Sequence, residues 1–224
     1  MKKIIISEAI LNKIPNTRLG VITADIEYET NNPVLTERIK SEQEHISQVP
    51  IENIKNIPAI AMTRAAYRAL GKEPARYRPS AEALLRRLIQ GKGLYQISNI
   101  VDTINLASIL TGYSIGGYDL DKIQGDVIFD VGSSNDIYEA IGRGIINVEN
   151  LPVFRDQLGA FGSPTTDSVR TMITEDTRSV MLIVVNFGVE QGFEDDVKKI
   201  ADLVKEYSSG KNIQTQIIRQ TNAP

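Results

Sequence analysis

The chain has 224 residues, with 25 lysines and arginines against 28 aspartates and glutamates, one histidine and no cysteine. That length suits one large domain or two tightly fused lobes with ample core. Without cysteine there are no disulfides and no thiol chemistry. A single histidine argues against a structural zinc site, and a net charge of −3 supplies no global field toward nucleic acid or anionic membrane.

In chain order, the opening Lys2–Ser7 reads as a short strand, because three consecutive isoleucines suit a buried pleat. Those isoleucines follow only Lys2-Lys3 and are too few for a secretory core or a membrane span, so a cytoplasmic protein is expected. Leu19–Tyr28 alternates as a second strand. Asn32 and Pro33 have the chemistry of an N-cap and a first helical residue, and start a polar helix running to about Gln48. A short helix over Ile51–Lys55 and an alanine-rich helix from Pro58 to Leu70 follow, the latter stopped by Gly71. The next helix starts near Pro79-Ser80 and ends at Gly91, with Ala81, Leu84, Leu85 and Leu88 as its apolar stripe.

Asn99–Leu110 is expected to be helical at its later end, and Gly112 breaks it. In this segment Asp102 and Asn105 stand among apolar neighbours. A polar group so placed must be hydrogen-bonded or face a pocket. Beyond Ser114 the chain turns β-rich, with short strands expected over Asp126–Val131, Gly144–Val148, Val153–Arg155 and Arg170–Ile173. Gly142-Arg143-Gly144 reads as a hairpin turn. Ser179–Phe187 is apolar on both faces and therefore a central strand. A helix over Phe193–Tyr207 shows one apolar face, and Ile213–Ile218 closes as a strand. The pattern is α+β, a mixed or antiparallel β core with flanking helices. One domain is expected over 1–224, with a helical and basic part at about 33–92, a β-rich part at about 97–190, and a closing helix and strand over 192–218.

Two stretches carry chemistry. Arg64, Arg68, Lys72, Arg76, Arg78, Arg86, Arg87 and Lys92 oppose only Glu73 and Glu82 over residues 64–92, a local balance of +6. Tyr77 adds a stacking surface between Arg76 and Arg78. Such a run attracts an RNA backbone; it is equally the solvated face of a helix pair balanced by the acidic helix around Glu37–Glu44. The second stretch, Gly159–Thr171, gathers Gly159, Phe161, Gly162, Ser163, Thr165, Thr166, Asp167 and Ser168. Glycine and proline fix turns there, and the hydroxyls and Asp167 offer donors and acceptors at close spacing. It reads either as a loop lining a small-molecule site or as a tight turn whose side chains cap backbone groups.

The stretch from Arg87 to Ile123 resembles the B3/B4 editing domain of the phenylalanyl-tRNA synthetase beta subunit. Arg87-Leu88 and Gly91 match its helix end, and Val101-Asp102 and Asn105 match its middle. Gly112 and Asp119-Leu120-Asp121-Lys122-Ile123 match the run G-Q-P-x-H-A-F-D-L-D-K-I without a gap. The resemblance extends, less sharply, to about Gly188, and implies a freestanding editing-like domain that takes the aminoacyl end of a tRNA, or a small amino-acid-like ligand, and needs no cofactor or metal. It makes Asn105 and Asp167 the candidate catalytic residues. Gly116 and Gly117, with Gly159–Ser168, become the candidate pocket wall, and the arginines of 64–92 with Lys92 the RNA contact. The family's threonine falls on Ile104 and its histidine on Gly116. Its tyrosine-reading glutamate falls near Ile183 or Val184. Such side chains cannot satisfy a phenolic hydroxyl, so the resemblance does not carry over a tyrosine preference.

Overall fold

The computed structural model describes residues 2–220. The chain runs through β1 (Ile4–Ile6), α1 (Glu8–Leu11), β2 (Arg18–Asp25) and α2 (Pro33–Ile46), then a tight 3-10 turn (Ile51–Asn56) into α3 (Pro58–Ala69), α4 (Ser80–Ile89) and α5 (Asn99–Thr111). Next come β3 (Ile115–Asp119), β4 (Val127–Val131), the hairpin β5 (Glu139–Ala140) and β6 (Gly144–Ile145), β7 (Pro152–Asp156) and β8 (Gly159–Gly162). A 3-10 turn (Val169–Thr171), β9 (Ser179–Asn186), α6 (Phe193–Tyr207) and β10 (Lys211–Arg219) complete it. One sheet has the order β10-β2-β9-β3, with every pairing antiparallel. The other has the order β1-β4-β7-β8, with β1 parallel to β4 and the remaining pairs antiparallel. The fold is α+β with mixed and antiparallel sheets.

Strand β9 is apolar on both faces because it serves two cores. Met181, Ile183 and Val185 meet Tyr118, Phe129, Phe154, Phe161 and Phe187 in the core that also holds Ile4 and Ile6 of the second sheet. Val180, Leu182 and Val184 meet Ile100 and Ile104 of α5 and Phe193, Val197, Ile200 and Val204 of α6. Period two on a strand sends alternate side chains to opposite faces, so a strand packed on both sides reads as a continuous apolar run. A third cluster, with Leu35, Ile60, Leu85, Leu88 and Leu106, ties α2, α3, α4 and α5 together.

Several local expectations hold. Asn32 Oδ1 accepts from Leu35 N and caps α2. Gly112 ends α5 in the left-handed region at φ 75°, where a Cβ would come within 2.7 Å of Ile57. Others are corrected. Helix α5 is helical from Asn99 onward, because Ser98 accepts from Val101 N and Asn99 pins the first turn to Glu27 O and Glu29 N. It is buried on nearly every side, which erased the periodicity. The expected strand at Arg170–Ile173 is a 3-10 turn capped by Ser168 Oγ, with Arg170 drawn onto Asp156 and Gly159 O. The first residues of the expected Gly159–Thr171 loop are strand β8, paired with β7.

Candidate functional site

A cavity of about 380 Å³ opens between α4, α5, the edge strand β3 and the segment after β8. Its geometry follows from sequence spacing. Val101, Ile104, Asn105 and Ser108 stand at i, i+3, i+4 and i+7 on α5 and present one face. Ile115 and Gly117, two apart, share one face of β3, and Ser80 and Leu84 supply one face of α4. Ile97, Ile141, Met172 and Ile173 close the rest. The wall is aliphatic, interrupted by two serines, one asparagine and Asp167. Gly117 lies in close approach to α5: a Cβ there would come within 2.4 Å of Ile104 Cδ1, the far end of that side chain.

Asp167 is the one ionisable side chain lining this cavity. Its Oδ1 accepts from the Tyr118 hydroxyl at 2.9 Å and its Oδ2 from Gly117 N at 3.4 Å. Burial pushes the carboxyl up to about 7, while the hydrogen bonds from Tyr118 and Gly117 pull the other way. The Tyr118 phenol is raised well above its ordinary value, first by burial and then by the neighbouring Asp167 charge. Its ring packs edge-on against Phe154 and Phe161. Two glycines make room for its tip: a Cβ on Gly116 would fall 1.9 Å from the Tyr118 hydroxyl oxygen, and one on Gly162 would fall 2.1 Å from it.

Asp102 and Asn105 divide between the two alternatives open to a polar residue among apolar ones. Asp102 folds back on its own helix start, accepting from Ile97 N at 3.1 and 3.3 Å through its two oxygens. Desolvation raises its carboxyl to about 6 against the pull of those backbone donors. It thereby fixes Ile97, a wall residue. Asn105 instead faces the cavity.

The hydroxyl-rich run behaves differently from its reading as a pocket wall. Ser163 Oγ accepts from Thr165 N and Thr166 N and donates to Thr166 O. Thr165 Oγ1 lies 2.8 Å from the Tyr67 hydroxyl of α3, and Ser168 Oγ accepts from Arg170 N. Phe161 is wholly buried in the inter-sheet core, and Gly159 O is held by Arg170. Gly116 and Gly162 face the Tyr118 ring rather than the cavity. Among the candidate residues, Asn105, Gly117 and Asp167 are the ones that line it; the Ser163 and Ser168 hydroxyls cap turns because they sit where the backbone reverses and leaves donors unsatisfied.

The basic run is also reorganised. Glu82 is buried on α4 and takes Arg64 Nη1 at 2.8 Å and Arg86 Nε at 2.9 Å, with Arg78 Nε at 3.9 Å. Their anionic partner is therefore this single carboxylate and not the acidic helix α2, whose Glu37 and Glu42 pair with Lys40 and Arg38. Arg87 stacks on Tyr95 and donates to Gly93 O, Lys92 O and the Tyr95 hydroxyl. Lys72 and Arg76 flank the Tyr77 ring at 4.3 and 5.6 Å. Lys55, Arg64 and Arg68 line a shallow surface groove. Helices α3 and α4 touch the cavity segment through Tyr67–Thr165 and through Ser80 N on Pro164 O at 2.8 Å. His45 is exposed, its ring Nδ1 2.8 Å from Ser41 O. No group of histidine, cysteine, aspartate and glutamate suited to a metal occurs among the described residues, and none of their helices is long and apolar enough to cross a membrane.

The described residues thus form an α+β domain with an aliphatic cavity, a carboxylate in its wall and basic helices beside it. The chain belongs to the B3/4 domain family, whose model matches residues 62–192. It is similar in structure to an N-terminal fragment of the phenylalanyl-tRNA synthetase beta-subunit from Pyrococcus horikoshii, at 12% identity and a TM-score of 0.48, covering 97% of this chain and 54% of that one. The chain thus spans about half the length of that fragment. No curated protein matches its sequence.

Proposed function

We propose that this domain binds the aminoacyl end of a tRNA and hydrolyses a mischarged aminoacyl ester in trans, as a cytoplasmic protein acting without a cofactor. The observation that carries the reading is Asp167, a carboxylate held by Tyr118 in an aliphatic cavity and pushed up to about 7. A base poised near neutral pH suits proton transfer. Asp167 takes a proton from a water as its oxygen attacks the ester carbonyl carbon. The Asn105 carboxamide N–H donates to the oxyanion that forms. Collapse breaks the bond to the ribose oxygen, which leaves with the proton returned by Asp167, giving the free amino acid and the tRNA 3′ end. Arg78, two residues before the cavity residue Ser80, and the Lys72–Tyr77–Arg76 group earlier in the same segment supply phosphate contacts and a stacking platform. A panel of mischarged tRNAs tests this. Release of amino acid from at least one is expected, with Asp167→Ala and Asn105→Ala each losing most of it. No release from any tRNA removes the function, and full activity in both variants removes the site.

A second reading, a non-catalytic amino-acid or RNA-binding module, is favoured by one observation: the hydroxyls of Ser163, Thr165 and Ser168 are committed to the backbone and to Tyr67, leaving few groups to position a water. Saturable binding to charged tRNA with no hydrolysis would select it.

A further inference from the structure

The charge pattern of the cavity goes further than the reaction class and names the kind of acyl group. Its wall is aliphatic through Leu84, Val101, Ile104, Ile115 and Ile173, and Asp167 is its one ionisable residue. Two cations on neighbouring segments are committed to other partners: Lys122 Nζ donates to Met172 O and pairs with Asp119, and Arg170 is taken by Asp156. The side chains lining the cavity therefore offer a ligand one negative charge and no positive one.

Resting on the aminoacyl-ester reading of this site, we propose that the cavity accepts a monocationic acyl derivative of an aliphatic amino acid, an α-aminoacyl ester or amide, and refuses the free zwitterion. An ester or amide carries only the ammonium, which the field of the Asp167 carboxylate attracts without a direct ion pair while its aliphatic tail meets the wall. The free amino acid carries in addition a carboxylate, which has no cation to meet and lies beside a like charge in a poorly hydrated space. The same rule gives the reaction a direction. Addition of water across the ester bond yields a carboxylic acid that loses its proton, so the product acquires the charge that the cavity excludes and leaves.

Calorimetry on the whole chain at pH about 7.5, with the α-amino group still partly protonated, tests this with L-leucinamide, L-leucine and L-tyrosinamide, none of which the domain would consume as an ester. Leucinamide is expected to bind at least about tenfold more tightly than leucine, a margin that one unpaired charge readily supplies, and more tightly than tyrosinamide. In Asp167→Asn the margin over leucine should shrink to about twofold or less. Equal affinity for leucine and leucinamide, binding of neither, preference for tyrosinamide, or a margin that persists in Asp167→Asn would each overturn the proposal. The two readings fail separately. Leucinamide binding without tRNA deacylation leaves the charge rule and removes hydrolysis; deacylation with equal affinity for leucine and leucinamide does the reverse.

Discussion

The Tyr118 hydroxyl reaches Asp167 Oδ1 at 2.9 Å from the face of β3 opposite the one that lines the cavity. A residue of the inter-sheet core thus opposes the upward push of burial on a carboxyl in the cavity wall. Tyr118→Phe keeps the ring and removes the donor that holds the carboxyl down, so Asp167 titrates above its present value of about 7. The deacylation profile against pH should shift to the alkaline side, with rate lost near pH 7 and recovered at higher pH. Uniform loss at all pH would mean that Tyr118 acts only through packing.

Asp167→Asn should make stability less dependent on pH. The folded carboxyl titrates near 7 and an exposed one at 3.8, so the folded state holds the proton more tightly. The burial penalty is absent below about pH 3.8, grows as pH rises between the two values and is complete above the higher one. The variant should therefore melt several degrees above the parent at pH 8, a chain of this size gaining about 2–4 °C per kcal/mol, and close to it at pH 4. Thermal melts at the two pH values decide the matter, and a larger gain at pH 4 would reverse the sign.

Glu82 is buried and holds Arg64 and Arg86. Removing one member of such a group leaves uncompensated charge, so Glu82→Ala should cost about 3 kcal/mol in chemical denaturation. A cost below about 1 kcal/mol would place the pair among ordinary surface ion pairs.

Gly116 and Tyr118 compete for the same space. Gly116→Ala should destabilise the parent by about 1–3 kcal/mol through overpacking and do less harm in a Tyr118→Phe background. A double-mutant cycle should give a coupling of about 1 kcal/mol or more; simple additivity would show that the backbone moves instead.

What could be read from the sequence depended on whether a pattern was local. The amphipathic face of α6, with Phe193, Val197, Ile200, Ala201 and Val204 buried, is written in its spacing, and the two-faced burial of β9 in its apolar run. Arg78, Glu82 and Arg86 stand four apart, so two contacts of that cluster were within reach of a helical reading, whereas Arg64 comes from 18 residues away. The early turns of α5 were obscured because burial on most sides leaves no polar stripe. Asp167 drew notice by composition, but its partner Tyr118 is 49 residues distant and belongs to another strand. The hydroxyls beside it follow the turn-capping one of their two sequence readings for a local reason: donors and acceptors crowded into a reversing backbone are consumed by that backbone.

The glycine at 116 also gives a reason for one departure from the H-A-F-D run that this segment resembles. In that run a histidine precedes a phenylalanine by two positions; here Gly116 precedes Tyr118 by the same two. On one strand face the two sites are neighbours, and the phenol oxygen lies 1.9 Å from where a β-carbon at position 116 would stand. A side chain at position 116 therefore calls for a ring without a hydroxyl at position 118, the smaller partner giving back the space that the larger one takes.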